Sequence, residues 1–118
     1  WAGPISNWIR ACETILALDV VTIVPGHGPI TDKQGVARLK GYFEYLVKEV
    51  RSRYEAGLSV VDAARDIPLD AYADWLDQER IAVNVAALYR EFSGEQEAAS
   101  TMSLFAIMAE YVLATGLF

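Results

Sequence analysis

The sequence predicts a mainly α-helical chain carrying one apolar strand, on three observations. Apolar residues recur at spacings of three and four through most of the 118 residues, the period of a helix buried along one face. One β-branched run, residues 20–24 (Val-Val-Thr-Ile-Val), lacks that period and is bounded by Asp19 and Pro25. Glycine, proline and serine punctuate the helical stretches at Gly57, Ser59, Pro68, Ser93 and Gly94.

Composition narrows the function classes. At 53% hydrophobic and 22% charged, the chain can bury a core without staples and does not read as disordered. One cysteine, Cys12, excludes an intramolecular disulfide framework and a Cys-rich zinc module. A net charge of −6 and a pI near 4.6 argue against a nucleic-acid surface, which needs clustered Lys and Arg. The charge is uneven: residues 1–61 hold seven Lys/Arg against six Asp/Glu, and residues 62–118 hold three against ten. The second half therefore reads as a solvated acidic face.

Residues 6–18 read as a first helix, with Trp8, Ile9, Cys12, Ile15 and Leu16 on one stripe and Cys12 a buried, inert thiol. The run 20–24 follows, apolar on both faces and so expected to be a central, buried strand. Such a strand needs neighbours on both edges, and no other segment reads as one. After the loop Pro25-Gly26-His27-Gly28-Pro29, Thr31 with Gln34 fits a capping box opening a long helix to Ala56, stopped at Gly57. Val36, Leu39, Phe43, Leu46 and Val50 form its seam, while Lys40, Glu44 and Lys48 step along its exposed side. Gly35 and Gly41 each cost roughly 1 kcal/mol of helix propensity, and a close packing contact at one of them is the expected compensation.

Residues 59–66 read as a short helix capped by Ser59 with Asp62, and residues 70–75 as a helical turn. Residues 78–92 read as a helix burying Ile81, Val85, Leu88 and Phe92. Ser93 with Gln96 is expected to cap a last helix from Glu95 to Thr115, with Met102, Phe105, Met108, Ala109 and Val112 packed inside or against a second subunit. From Thr101 to the end only Glu110 is charged, but 18 residues just reach a membrane span and a carboxylate that deep costs roughly 2.5–3.5 kcal/mol, so no span is expected. Residues 1–10 lack a basic region followed by an apolar core, and a cytoplasmic location is the expectation.

The one constellation that carries chemistry surrounds His27, the sole histidine. Glycines on each side let a ligand approach the backbone, and prolines outside them stiffen the loop. The loop follows an apolar run and precedes a helix start, and rigid placement of one imidazole is what a metal site requires. The acidic series Asp62, Asp66, Asp70, Asp74 and Asp77 has no EF-hand spacing and is broken by Pro68, so it reads as a solvated face. Trp75 with Tyr72, and Tyr89 with Phe92, read as core anchors.

Asn7-Trp8-Ile9, the run 20–24 and Pro25-Gly26-His27-Gly28-Pro29 resemble the last part of the metallo-β-lactamase-fold hydrolases, where an apolar strand leads into a P-G-H-G-type loop whose histidine binds the second of two metals. The long helix that follows and the stretch Glu79-Arg80, Asn84-Val85 and Leu88 to Glu91 are similar to C-terminal helices of one branch, so the resemblance spans roughly residues 5–92. It implies that residues 1–57 are the C-terminal part of an αββα sandwich and residues 58–118 a helical C-terminal subdomain. It implies zinc in the complete protein, with His27 the one metal ligand carried here, and metal-dependent hydrolysis of a small-molecule ester, thioester or amide. The family's H-x-H-x-D-H motif, its middle histidine and its bridging aspartate are absent, so the chain alone is expected neither to hydrolyse such a substrate nor to bind zinc stoichiometrically. The chain opens at Trp1 rather than methionine, and a piece of a longer protein is the expectation. The competing expectation is a non-enzymatic helical module that self-associates, a homo-oligomer held through its apolar helices.

Overall fold

The computed structural model describes residues 3–117, and within them the chain forms five α-helices and one 3₁₀ turn. In order these are α1 (Ile5–Ala17), α2 (Lys33–Glu55), α3 (Val60–Asp66), the turn Asp70–Tyr72, α4 (Arg80–Ser93) and α5 (Thr101–Thr115). The mainly helical expectation holds.

The strand is a correction. Residues 20–24 make one antiparallel bridge, Ile23 N–H to the Thr31 carbonyl at 2.8 Å and Thr31 N–H to the Ile23 carbonyl at 2.9 Å, and no strand forms among the described residues. The run is not buried either, since Val21 is 85% and Val24 74% exposed. β-Branched residues favour a pleated surface packed on neighbours, and with no neighbouring strand that preference has nothing to act on.

The helix ends follow local chemistry. α2 starts one residue later than the capping box implies: Asp32 is the N-cap, its carboxylate accepting from the N–H groups of Gln34 and Gly35. Thr31 is instead engaged by the bridge to Ile23, and its side chain fills the space over Gly35, where a Cβ would overlap Thr31 Oγ1. Gly35 is thus the glycine with the close contact; Gly41 faces open space. Gly57 takes φ +78° just beyond α2, and Ser59 caps α3 by accepting from Asp62 N–H. Gly94 ends α4 at φ +77°.

The last helix begins at Thr101, not near Glu95. Ser93 is already spent, its hydroxyl donating to the Arg90 carbonyl at 3.2 Å, and the Gln96 amide turns back to the Gly94 carbonyl. Ser100 supplies the cap, accepting from Ser103 N–H at 3.1 Å. Within the chain it buries only part of the expected set. Leu104 and Tyr111 are buried and Met108 and Val112 half-buried, while Met102, Phe105 and Ala109 are exposed. The helix is apolar nearly all round, so periodicity could not select a face; packing of Leu104 on Val83 and Ala86 selects it. No helix among the described residues is long and apolar enough to cross a membrane.

α2 and α4 carry the core. Tyr42, Phe43, Leu46 and Val50 meet Ile81, Val85 and Leu88, with Ile5 from α1, Ala63 and Ala64 from α3 and Tyr111 from α5 joining the same cluster. Polar contacts tie the elements. The Ile5 and Ser6 N–H groups donate to the Glu91 carboxylate of α4, which caps an α1 with no side-chain cap of its own. Arg53 of α2 bridges to Asp66, and the Tyr45 and Tyr89 hydroxyls donate to the Pro68 and Leu58 carbonyls.

Candidate functional site

The Ile23–Thr31 bridge closes the base of a loop, residues 24–30, that carries the P-G-H-G-P motif at its tip. Gly28 sits at φ +96°, a conformation a side chain disfavours, which lets the chain reverse immediately after His27. His27 is exposed.

His27 lines a cavity of about 280 Å³. Its walls come from elements far apart in sequence: Trp8 of α1, Leu39, Tyr42 and Phe43 of α2, Tyr72 and Trp75 of the connecting segment, and Val83 and Asn84 of α4. The rings lock one another. Tyr42 stands edge-on to Tyr72 with centroids 5.0 Å apart, Trp75 lies 5.2 Å from Tyr42 and 4.9 Å from Tyr72, and Trp8 lies 6.1 Å from Phe43.

A polar pair, Asn84 and Tyr42, interrupts this aromatic lining, and Gln78 adds a second carboxamide. Asn84 Nδ2 donates to the Tyr42 hydroxyl at 3.0 Å. Burial pushes the Tyr42 phenol up to about 12, although the Asn84 hydrogen bond acts in the opposite direction, so the hydroxyl stays protonated. Asp77 and Arg80, also in the lining, pair at 3.5 Å, and Asp77 holds φ +57°.

The donor set for a metal is one imidazole. No group of three or more His, Cys, Asp or Glu among the described residues could hold a metal ion. The acidic series does not converge: Asp62 meets Arg65 and the Ser59 hydroxyl, Asp66 meets Arg53, Asp74 meets Arg38, and Asp77 meets Arg80. Cys12 is buried and its thiol is pushed up chiefly by burial, as its place on the α1 stripe implied.

Of the residues lining this cavity, the sequence singled out His27 as a candidate metal ligand and Tyr72 and Trp75 as core anchors, and passed over Tyr42 and Asn84. A signal existed for Asn84: it is the one polar residue in the run Ile81-Ala82-Val83-Asn84-Val85-Ala86-Ala87-Leu88, and a carboxamide held inside such a run needs a partner. Tyr42 stands beside the seam residue Phe43 and carries no comparable mark. Against known proteins the chain stands by itself, for no family model, no curated protein and no solved structure matches it.

Proposed function

We propose that the chain is the C-terminal part of a metal-dependent hydrolase of the metallo-β-lactamase type, in which His27 supplies one ligand of a zinc centre completed by residues outside these 118. The observation that carries the reading is the P-G-H-G-P loop, closed at its base and presenting an exposed His27 beside a ring-lined cavity. The bare apolar residues around it, Leu18, Val21, Val24 and Ile30, support it, because a sheet of such a sandwich would cover them.

The chain's own donors do not fit a hydrolytic zinc site, which takes about three protein ligands and an open position. No chemical step is therefore assigned to these residues, and attack on an ester, thioester or amide belongs to the complete protein. The test lies in the coding region ahead of Trp1. An H-x-H-x-D-H motif within about one domain's length is expected, and a His27→Ala variant of the protein encoded there should lose bound zinc while keeping its fold. A coding region without that motif, or unchanged zinc content in the variant, overturns the reading.

A second reading rests on α5. Met102 is 79% and Leu113 85% exposed on one helix, more exposed apolar surface than a solvated helix carries. In this reading the chain is an interaction module that pairs with a second copy through α5. Light scattering decides it: an oligomer that dissociates on Leu113→Glu substitution supports it, and a monomer at all concentrations removes it.

A further inference from the structure

The cavity beside His27 has a composition that selects a ligand. Its volume of about 280 Å³ is close to twice the roughly 150 Å³ void that accepts benzene, which is room for a two-ring group. Its walls are mostly rings and aliphatic side chains, with the carboxamides of Gln78 and Asn84 among them, and the charged side chains of the lining, Asp77 and Arg80, pair with each other. A charged ligand would meet no net countercharge there and would give up its hydration without return.

Of the polar side chains in the lining, Tyr42 is the one that is buried. The Tyr42 hydroxyl uses its oxygen to accept from Asn84, and that pairing leaves its own proton free to donate. Held well above the usual phenol range by burial, this hydroxyl remains a donor throughout the neutral range. Tyr42 is 8% exposed, so an acceptor meeting it does so out of bulk water, where the hydrogen bond discriminates most. The chemistry favoured is an uncharged two-ring aromatic group with a hydrogen-bond acceptor on its buried edge.

We infer that this cavity is the subsite for the non-reacting part of the substrate, an uncharged aromatic group of about two rings whose buried acceptor meets the Tyr42 hydroxyl while its other end emerges at His27. The inference rests on the hydrolase reading for the word substrate, but binding and its geometry are measurable on the 118-residue chain without metal.

The probes are quinoline, which is uncharged near neutral pH and carries a ring nitrogen as acceptor, and naphthalene, which has the same shape and no acceptor. Binding is followed by proton NMR, where the single histidine makes the His27 ring signal unambiguous. Quinoline is expected to bind saturably at one site and shift the His27 ring proton. Tyr42→Phe is expected to weaken quinoline about tenfold, the worth of one buried hydrogen bond, and to leave naphthalene within twofold. Helical circular dichroism equal to wild type certifies the variant; if Tyr42→Phe does not fold, Asn84→Ala, which removes the partner that orients the hydroxyl, is expected to weaken quinoline selectively instead. Absence of saturable binding, binding that leaves His27 unmoved, or equal loss of both probes overturns the subsite. A coding region without the metal motif overturns the hydrolase reading and leaves these binding results standing, so the two failures are distinguishable.

Discussion

Arg38 grips Asp74 with both arms of its guanidinium, Nη2 to Oδ1 at 2.7 Å and Nη1 to Oδ2 at 3.0 Å, while Nη2 also donates to the Ala71 carbonyl at 3.0 Å. The same group lies 5.1 Å from the Trp75 ring centre and 5.8 Å from that of Tyr72. One side chain of α2 thereby pins the irregular segment that walls the cavity, by a planar fork that lysine could not reproduce.

The Arg38 hydrogen bond holds the Asp74 carboxyl below its usual range. A depressed carboxyl stabilises the fold above its unfolded pKa of about 3.9 and loses that contribution as pH falls through the lower folded value. Wild type is expected to exceed Asp74→Asn in melting temperature at neutral pH by a small margin, because both partners face solvent. The difference should close below the ordinary carboxylate range, and a gap that persists or widens in acid refutes the linkage.

The fold was legible at several positions where one residue controls its own backbone, though not at the caps read at Thr31 and Ser93, which Asp32 and Ser100 supply instead. Gly57, Ser59 and Gly94 each act through one hydrogen bond or one dihedral, and each ends or starts a helix where its chemistry says. Legibility failed where the deciding partner is distant. Whether residues 20–24 become a strand depends on neighbours that periodicity does not reveal, and the buried face of α5 depends on Val83 and Ala86. The reversal of the loop around His27 was legible from its flanking glycines and prolines, Gly28 taking φ +96°. The cavity was not, because Trp8, Tyr42, Trp75 and Asn84 converge only after α1, α2 and α4 pack.

The two glycines of α2 are expected to respond with opposite signs. Gly41 faces open space, so Gly41→Ala should raise stability by about 1 kcal/mol through helix propensity. At Gly35 an added methyl would overlap Thr31 Oγ1 and press on the rest of that side chain, so Gly35→Ala should lower stability by about 1–3 kcal/mol. Urea unfolding of the pair checks this, and stabilisation by both substitutions would show that Thr31 moves aside without cost.

Glu91 joins α4 to the start of α1. Its carboxylate receives the first two N–H groups of α1, whose own N-cap is Pro4 and provides no side-chain acceptor. Removal in Glu91→Ala orphans those donors and is expected to cost about 1 kcal/mol. Hydrogen exchange localises the effect: amides in the first turn of α1 should exchange faster while those in the middle of α2 change only by the global amount. Uniform acceleration would mean that Glu91 does not act as the cap.

Tyr42 makes the chain sensitive to alkali. Its phenol is raised from about 10 to about 12 because the charged form would be buried, so the folded state holds the proton more tightly than the unfolded state. A raised folded pKa means that the contribution is complete below the unfolded value and is lost as pH climbs from about 10 towards 12. Two units correspond to a contribution on the order of 2–3 kcal/mol at about 1.4 kcal/mol per unit. Tyr45, Tyr89 and Tyr111 are also raised, chiefly by burial, so the comparison that isolates Tyr42 is wild type against Tyr42→Phe. Below pH of about 9 the variant should be less stable by about 1 kcal/mol, the loss of the Asn84 hydrogen bond. As pH rises through the phenol range the two curves should converge and then cross, because phenylalanine has no charge to bury. Curves that stay parallel to the alkaline limit would show that the Tyr42 hydroxyl ionises in place without disturbing the packing around it.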